Sequence, residues 1–260
     1  MDQLLHSKIL GREGFPVLIL HGLLGMGDNW LSLGKKYAEN GFKVHLIDQR
    51  NHGKSFHDDE MNYEVMVEDL YRYSKKHHLD HFHIIGHSMG GKTAMHFAMT
   101  HPELVDKMIV VDIAPKFYPP HHHFIFEAIE KLDLKKYRKR QEIENVLAKD
   151  ITSTPIRQFI LKNLARDKNG LFYWKPNIPV LKNSLHDLGQ ALPPLQSIRT
   201  KTLFVKGEKS PYILPEDLPG IKAHFPHSDT IIIPNSSHWV HAQQPALFLH
   251  ESLNFLNKNH

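Results

Sequence analysis

The sequence predicts an α/β domain: a mostly parallel central sheet flanked by helices, with a helical cap inserted in its second half. Three observations predict it. Short apolar runs alternate with helical stretches over the first 114 residues, Gly86-His87-Ser88-Met89-Gly90 stands where one such run passes into a helix, and the alternation stops at Pro115 and resumes at Thr202. A strand–helix–strand series requires right-handed crossovers and leaves a parallel sheet buried on both faces, so its strands read as unbroken apolar runs.

In order along the chain, Val17-Leu18-Ile19-Leu20 is a strand followed by a glycine turn and a helix from Asn29 to Ala38, which Gly41 ends. Phe42 to Ile47 is the next strand. Tyr63, Met66, Val67, Leu70 and Tyr71 recur at helical spacing behind an Asn62 cap, predicting a helix to about His77. Phe82 to Ile85 is the strand before Ser88, Lys92 to Met99 lies in the helix after it, and Met108 to Val111 is a further strand. From Lys116 to about Ser197 there is no strong strand pattern; helical stretches are expected near 123–133, 136–149, 155–166 and 178–188. Strands return at Thr202–Val205 and Thr230–Ile233, and Pro245 to about Leu256 forms a last helix. The expected organisation is a core of residues 1–114 and 198–260 with a cap over 115–197.

Composition narrows the function. The chain has 260 residues, 41% hydrophobic and 23% charged, enough to bury a large core. No run reaches the roughly 18 apolar residues of a membrane span, and the start carries no basic-then-apolar leader pattern, so a cytoplasmic location is expected. The absence of cysteine excludes disulfides and thiol catalysis. Net charge is +4, with acids and bases interleaved, and the basic run Lys135 to Arg140 is followed at once by Gln141-Glu142; this is a solvated helix face rather than a nucleic-acid stripe. The 22 histidines make close pairs ordinary, and no His-Glu-x-x-His or comparable ligand set is present, so neither a metal nor a cofactor is expected.

The chemistry gathers at the carboxyl ends of the strands, where open parallel sheets bind ligands. Glycines two residues either side of Ser88 let strand and helix meet at a sharp angle that exposes the hydroxyl. Ser88 is the candidate nucleophile, and His238, in the polar loop Asn235-Ser236-Ser237-His238-Trp239 after the last strand, the general base. The backbone N–H groups of Leu23, in the glycine turn after the first strand, and Met89, at the helix start, are the expected oxyanion donors. The acid is open: the loop after the strand at 202–205 has Ser210 where an aspartate would fit, leaving Asp112 as first candidate, then Glu208 and Asp217, then Asp187. Tyr212 and Trp239 are expected beside the substrate pocket. His21 and His87 are expected to support turns rather than transfer protons.

These motifs resemble the α/β-hydrolase superfamily over essentially the whole chain. Within it they are most similar to a small esterase family that includes bacterial YbfF and the ABHD11-type hydrolases. The resemblance rests on His-Gly-Leu-Leu-Gly-x-x-Asp-Asn-Trp at 21–30, Asp-x-Arg-Asn-His-Gly-x-Ser at 48–55, Gly-His-Ser-Met-Gly-Gly-Lys at 86–92 and Val-Asp-Ile-Ala-Pro at 111–115. It extends to Asn-Ile-Pro-Val-Leu at 177–181, Ser-Pro-Tyr at 210–212 and Ser-Ser-His-Trp-Val-His-Ala at 236–242. It implies that Asp112 is the acid and that small-molecule acyl esters of short to medium chain, with acyl-CoA thioesters as a further class, are hydrolysed through an acyl-enzyme. The Asn-Ser-Ser before His238 departs from the family's usual glycine and implies a stiffer loop. Asp48-Gln49-Arg50 is also similar to prolyl iminopeptidases, and a non-catalytic ligand receptor is the alternative of another class. Oligomeric state is not legible.

Overall fold

The computed structural model describes residues 3–194 and 197–258. Met1 and Asp2 of the N-terminal stretch, and Leu195 and Gln196 near the expected end of the cap, lie outside the described residues. In chain order the core opens with β1 (Ser7–Leu10), β2 (Phe15–Leu20), α1 (Leu31–Glu39), β3 (Phe42–Ile47), α2 (Tyr63–Lys76), β4 (Phe82–His87), α3 (Met89–Thr100) and β5 (Val105–Val111). Next come α4 (His123–Glu130), α5 (Arg140–Asp150), α6 (Thr154–Leu161), β6 (Leu164–Arg166), β7 (Phe172–Trp174), α7 (Ile178–Asn183) and α8 (Leu185–Gly189). The core resumes with β8 (Lys201–Gly207), α9 (Leu218–His224), β9 (Ser228–Ile233), α10 (Val240–Gln243) and α11 (Pro245–Asn257).

The main sheet has seven strands in the order β1-β3-β2-β4-β5-β8-β9. All neighbours run parallel except β1, which lies antiparallel on β3. The chain passes from β2 to β3 on one side and then to β4 on the other, so the switch in winding direction lies between β2 and β4, where Leu20 pairs with Gly86. A crevice opens at such a point. Successive residues of β2 face opposite ways: Val17 and Ile19 pack with α1 and α11 residues such as Leu33 and Phe248, Leu18 and Leu20 with α2 and α3 residues such as Leu70 and Phe97. Asn62 caps α2 as expected, its Oδ1 accepting the Val65 N–H at 3.0 Å.

Three expectations need correction. β1 was not anticipated, because Ser-Lys-Ile-Leu has no buried position at its sheet edge, being half-buried apart from the exposed Ile9. The segment between β5 and β8 is not all helical: the stretch expected as one helix over 155–166 ends at Leu161, and β6 and β7 form a hairpin. Its turn is set locally, since Asp167 Oδ1 accepts the N–H groups of Asn169 and Leu171 and Gly170 adopts φ +77°. The helix expected at 178–188 is split into α7 and α8 at Ser184.

The segment above the sheet has its own apolar cluster, and Leu24 and Met89 from the sheet's edge belong to it. Polar ties hold its root. Asn163 Nδ2 donates to Leu24 O at 2.7 Å, Asn177 N donates to Asn51 O at 3.0 Å, and Tyr63 Oη donates to Leu188 O at 2.7 Å. The Lys92 amine donates to Lys116 O at 2.7 Å and also to Gln190 O, so one side chain grips the chain on its way out of the core and on its way back.

Candidate active site

Ser88 is the hinge between β4 and α3, with φ 52° and ψ −117°. That left-handed conformation is costly for a residue with a Cβ, and its neighbours show why it persists. A Cβ at Gly86 would strike the Gly90 carbonyl, and one at Gly90 would come within 2.5 Å of Leu20 O, so both glycines are obligatory. Ser88 N is fixed to Val111 O at 3.0 Å. Strain is concentrated at this edge of the sheet: among described non-glycine residues, positive φ occurs at Leu24, Asn51, Ser88, Asp112 and Asn235, each just beyond the carboxyl end of a strand, and otherwise only at His78.

The structure brings Asp112 and His238 together. Asp112, fully buried beyond β5, accepts His238 Nδ1–H on Oδ2 at 2.8 Å and Gly207 N–H on Oδ1 at 3.0 Å. Ser210 Oγ donates to the same Oδ2, which gives the serine at this position its purpose: it completes the carboxylate's shell instead of supplying one. With its Nδ1 proton committed to Asp112, the neutral His238 ring carries its lone pair on Nε2. Two of the other candidate acids are engaged elsewhere. Glu208 accepts Asn235 N–H at 2.8 Å, and Asp217 takes Lys116 Nζ at 2.6 Å and Leu214 N–H at 2.7 Å.

The loop carrying His238 places Asn235 in the left-handed position at φ 54°. Ser236 Oγ donates to Ile233 O at 2.7 Å and Gln243 Oε1 accepts Ser237 N–H at 2.6 Å. The Tyr212 ring lies flat on His238, centroids 3.8 Å apart and planes 16° from parallel. On another side, His87 Nε2–H donates to the His238 carbonyl at 2.8 Å.

The turn after β2 is built by two more histidines. His21 Nδ1–H donates to Gly22 O at 2.8 Å while its Nε2 accepts Gln49 N–H at 3.0 Å. His52 Nδ1–H donates to Arg50 O at 2.8 Å, leaving Nε2 to accept Leu24 N–H at 3.1 Å. Leu23 N–H, one residue earlier, and Met89 N–H donate to no other group among the described residues, and both residues border the cleft beside Ser88. Burial pushes His52 down to about 3 and His241 to about 3, and lowers His87 well below the usual imidazole value, with His238 and His241 adding to the effect on His87. These rings are therefore neutral near pH 7.

The Asp48-x-Arg50 motif is structural. Asp48 accepts Gly27 N–H at 2.7 Å and Lys54 N–H at 2.9 Å, and Arg50 pairs with Asp69 through Nε at 2.6 Å and Nη2 at 3.0 Å. The cleft of about 350 Å³ is lined by Ser88, His238, Tyr212 and Trp239 and by side chains of the segment above the sheet such as Ile156 and Phe159. His241 was given no role of its own in the sequence although it lies in the 236–242 motif; it stacks on Trp30 at 3.9 Å and 7°, with its ring 4.8 Å from that of His87.

A family profile described as the α/β-hydrolase fold matches residues 16–145. The sn-1-specific diacylglycerol lipase ABHD11 of Danio rerio is 36% identical over 94% of this chain and 79% of its own length. Esterase YbfF of Escherichia coli K12 is 31% identical over 93% of each chain. Among solved structures, a marine microorganism esterase superposes with a TM-score of 0.95 at 41% identity, covering 98% of this chain and all of its own.

Proposed function

The chain belongs to the α/β-hydrolase family, and from that premise we propose that it is a serine carboxylesterase with Ser88 as nucleophile, His238 as base and Asp112 as the orienting acid. The observation that carries the reading is the contact at 2.8 Å between a fully buried Asp112 and a half-buried His238, facing a cleft shared with a strained, half-buried Ser88. The names of the relatives, an esterase and a lipase, support ester hydrolysis.

In this reading Ser88 Oγ attacks the ester carbonyl as His238 Nε2 takes its proton. Charge develops on the carbonyl oxygen, which turns toward the N–H groups of Leu23 and Met89; one such donor is typically worth about 2.7–4 kcal/mol in the transition state. His238 then protonates the departing alkoxide, and Asp112 stabilises the imidazolium that exists in between. Water enters, yields a proton to the same nitrogen as it bonds to the acyl carbon, and the acid leaves as His238 returns that proton to Ser88 Oγ. No step needs a cofactor. The segment over 115–197 acts as a cap supplying the apolar wall. Substrates are short- to medium-chain acyl esters, and acyl-CoA thioesters, whose carbonyl reacts in the same way, are the second class to assay.

The test is turnover of p-nitrophenyl butyrate together with labelling by a fluorophosphonate. Wild type should turn over and label; Ser88→Ala should do neither. Turnover that survives in Ser88→Ala, or proline naphthylamide cleaved faster than any ester, removes the reading.

A further inference from the structure

The cleft has two lobes that meet at Ser88, and they differ sevenfold in volume: about 350 Å³ against about 50 Å³. The large lobe is apolar, walled by Ile125, Ile156, Phe159 and Trp239, and His238 stands in it. The small lobe lies over the start of α3 between Met89, Ile113, Leu185 and Leu188, and His238 does not border it. Leu23 and Tyr212 border both.

Resting on the catalytic roles given above, the position of His238 assigns the two halves of an ester to these lobes. When Ser88 Oγ bonds to the carbonyl carbon, that carbon carries the serine oxygen, the oxyanion, the alcohol oxygen and the acyl chain. The oxyanion is held by Leu23 and Met89. The bond from carbon to the alcohol oxygen breaks only as that oxygen takes the proton from His238 Nε2, so the alcohol must lie on the His238 side, in the large lobe. The water that cleaves the acyl-enzyme gives its proton to the same nitrogen and needs the same side, vacated by the alcohol. The acyl chain is left with the small lobe.

We propose that the enzyme selects esters of a short acyl group with a bulky apolar alcohol. At roughly 10–15 Å³ for each water-sized position, the small lobe takes about three to five non-hydrogen atoms, an acetyl to butanoyl group. Its wall beside Lys92 and Gly189 is held in place. Lys92 Nζ is fixed there to Lys116 O and Gln190 O, and Gly189 is so close to the Tyr118 carbonyl that even a methyl group would collide with it. The large lobe has room for an aryl or medium alkyl alcohol against Phe159 and Trp239, whose rings are 5.4 Å apart. A diacylglycerol, the substrate type named for the zebrafish relative, fits this arrangement badly wherever its acyl chain is long.

Two isomeric esters separate the assignments, because octyl acetate and ethyl octanoate share a formula and differ only in which side carries the chain. Wild type should show kcat/KM for octyl acetate at least ~10-fold above that for ethyl octanoate. Leu188→Ala, which lengthens the small lobe, should move that ratio about tenfold toward ethyl octanoate, and Phe159→Ala should lower octyl acetate turnover without raising that of ethyl octanoate. Equal or reversed preference in a wild type that hydrolyses p-nitrophenyl acetate overturns the lobe assignment and leaves the esterase reading standing. Failure to hydrolyse any ester overturns both.

Discussion

The turn around Ser88 is held by hydrogen bonds and by backbone that side chains cannot enter, whereas the cap above it is held by apolar packing and a few polar ties at its root. At the turn, Gly86 and Gly90 leave no space for a methyl group, and His21, His52 and His87 each spend a ring nitrogen on a backbone carbonyl. In the cap, Ile125, Ile143, Leu147 and Ile160 form a cluster that any residues of similar volume could form. The difference separates two tasks. Attack on a carbonyl fails if a reacting group moves by an ångström, and only a network of directional contacts fixes groups that closely. Choosing a substrate needs a cavity of a given shape, which packing supplies.

The largest expected effect falls on the catalytic side. Asp112→Asn should lower kcat about 10⁴-fold while the protein still melts cooperatively, because an amide at this position favours the wrong tautomer of His238. Ser210 offers a way to sharpen the point. Its hydroxyl already touches the Asp112 carboxylate, so in the Asp112→Asn background Ser210→Asp should restore roughly tenfold or more of the lost rate, measured on p-nitrophenyl butyrate. No recovery would mean that the geometry at Asp112 matters and not merely a charge beside His238.

Next in size is a contrast in tolerance. Gly90→Ala places a methyl 2.5 Å from Leu20 O, a backbone atom that cannot yield, and should cost about 3 kcal/mol or prevent folding. Ile156→Val, in the cap wall, should cost under about 1.5 kcal/mol in urea unfolding. Similar costs for the two would erase the distinction between the regions.

What the sequence made legible follows the same division. The nucleophile turn lies within five adjacent residues, and its steric demands are written into Gly86 and Gly90. The Asn62 cap was legible for the same reason, since Asn62 and Val65 are near neighbours in the chain. Asp112 was legible only as the first of several candidates, because its partner His238 is 126 positions away and the motifs left Glu208 and Asp217 open behind it. The hairpin of β6 and β7 escaped because three-residue strands carry no period, and β1 because an edge strand with half-buried positions lacks an apolar run. The lobes were beyond reach altogether: Leu188 and Met89 meet only through the tertiary fold.

A pH effect distinguishes the regions by their histidines. Burial holds His241 near 3 in the folded protein, while the unfolded chain protonates it near 6.5. Its neutral form thus contributes stability in full above about pH 6.5, and that contribution is lost as pH falls toward 3, at roughly 1.4 kcal/mol per pH unit. His241→Phe keeps a flat ring on Trp30 and removes the proton site; it also loses no partner at Nδ1, which has none among the described residues. The variant should be about 2 kcal/mol more stable than wild type at pH 5 relative to their difference at pH 8, measured by urea unfolding. An unchanged difference would show that His241 is not held neutral by burial.

The smallest effect should arise where the two regions join. Asn163, from the cap, donates its Nδ2 to Leu24 O, the carbonyl beside the Leu23 donor, and its own Oδ1 has no partner among the described residues. Asn163→Ala therefore removes one hydrogen bond and one buried unpaired acceptor, so the stability cost should be only about 1 kcal/mol. The kinetic cost should be of another kind. Leu24 keeps its bond to His52 and its strained φ of 58°, so the turn survives, but the cap is no longer tied to it. Substrate contacts made by the cap wall should weaken and KM rise about threefold to tenfold, with kcat nearly unchanged, as for lost binding that does not grow in the transition state. A fall in kcat at constant KM would instead show that the cap positions the oxyanion donor, and the separation of catalytic edge from cap would then hold only for their packing, not for their roles.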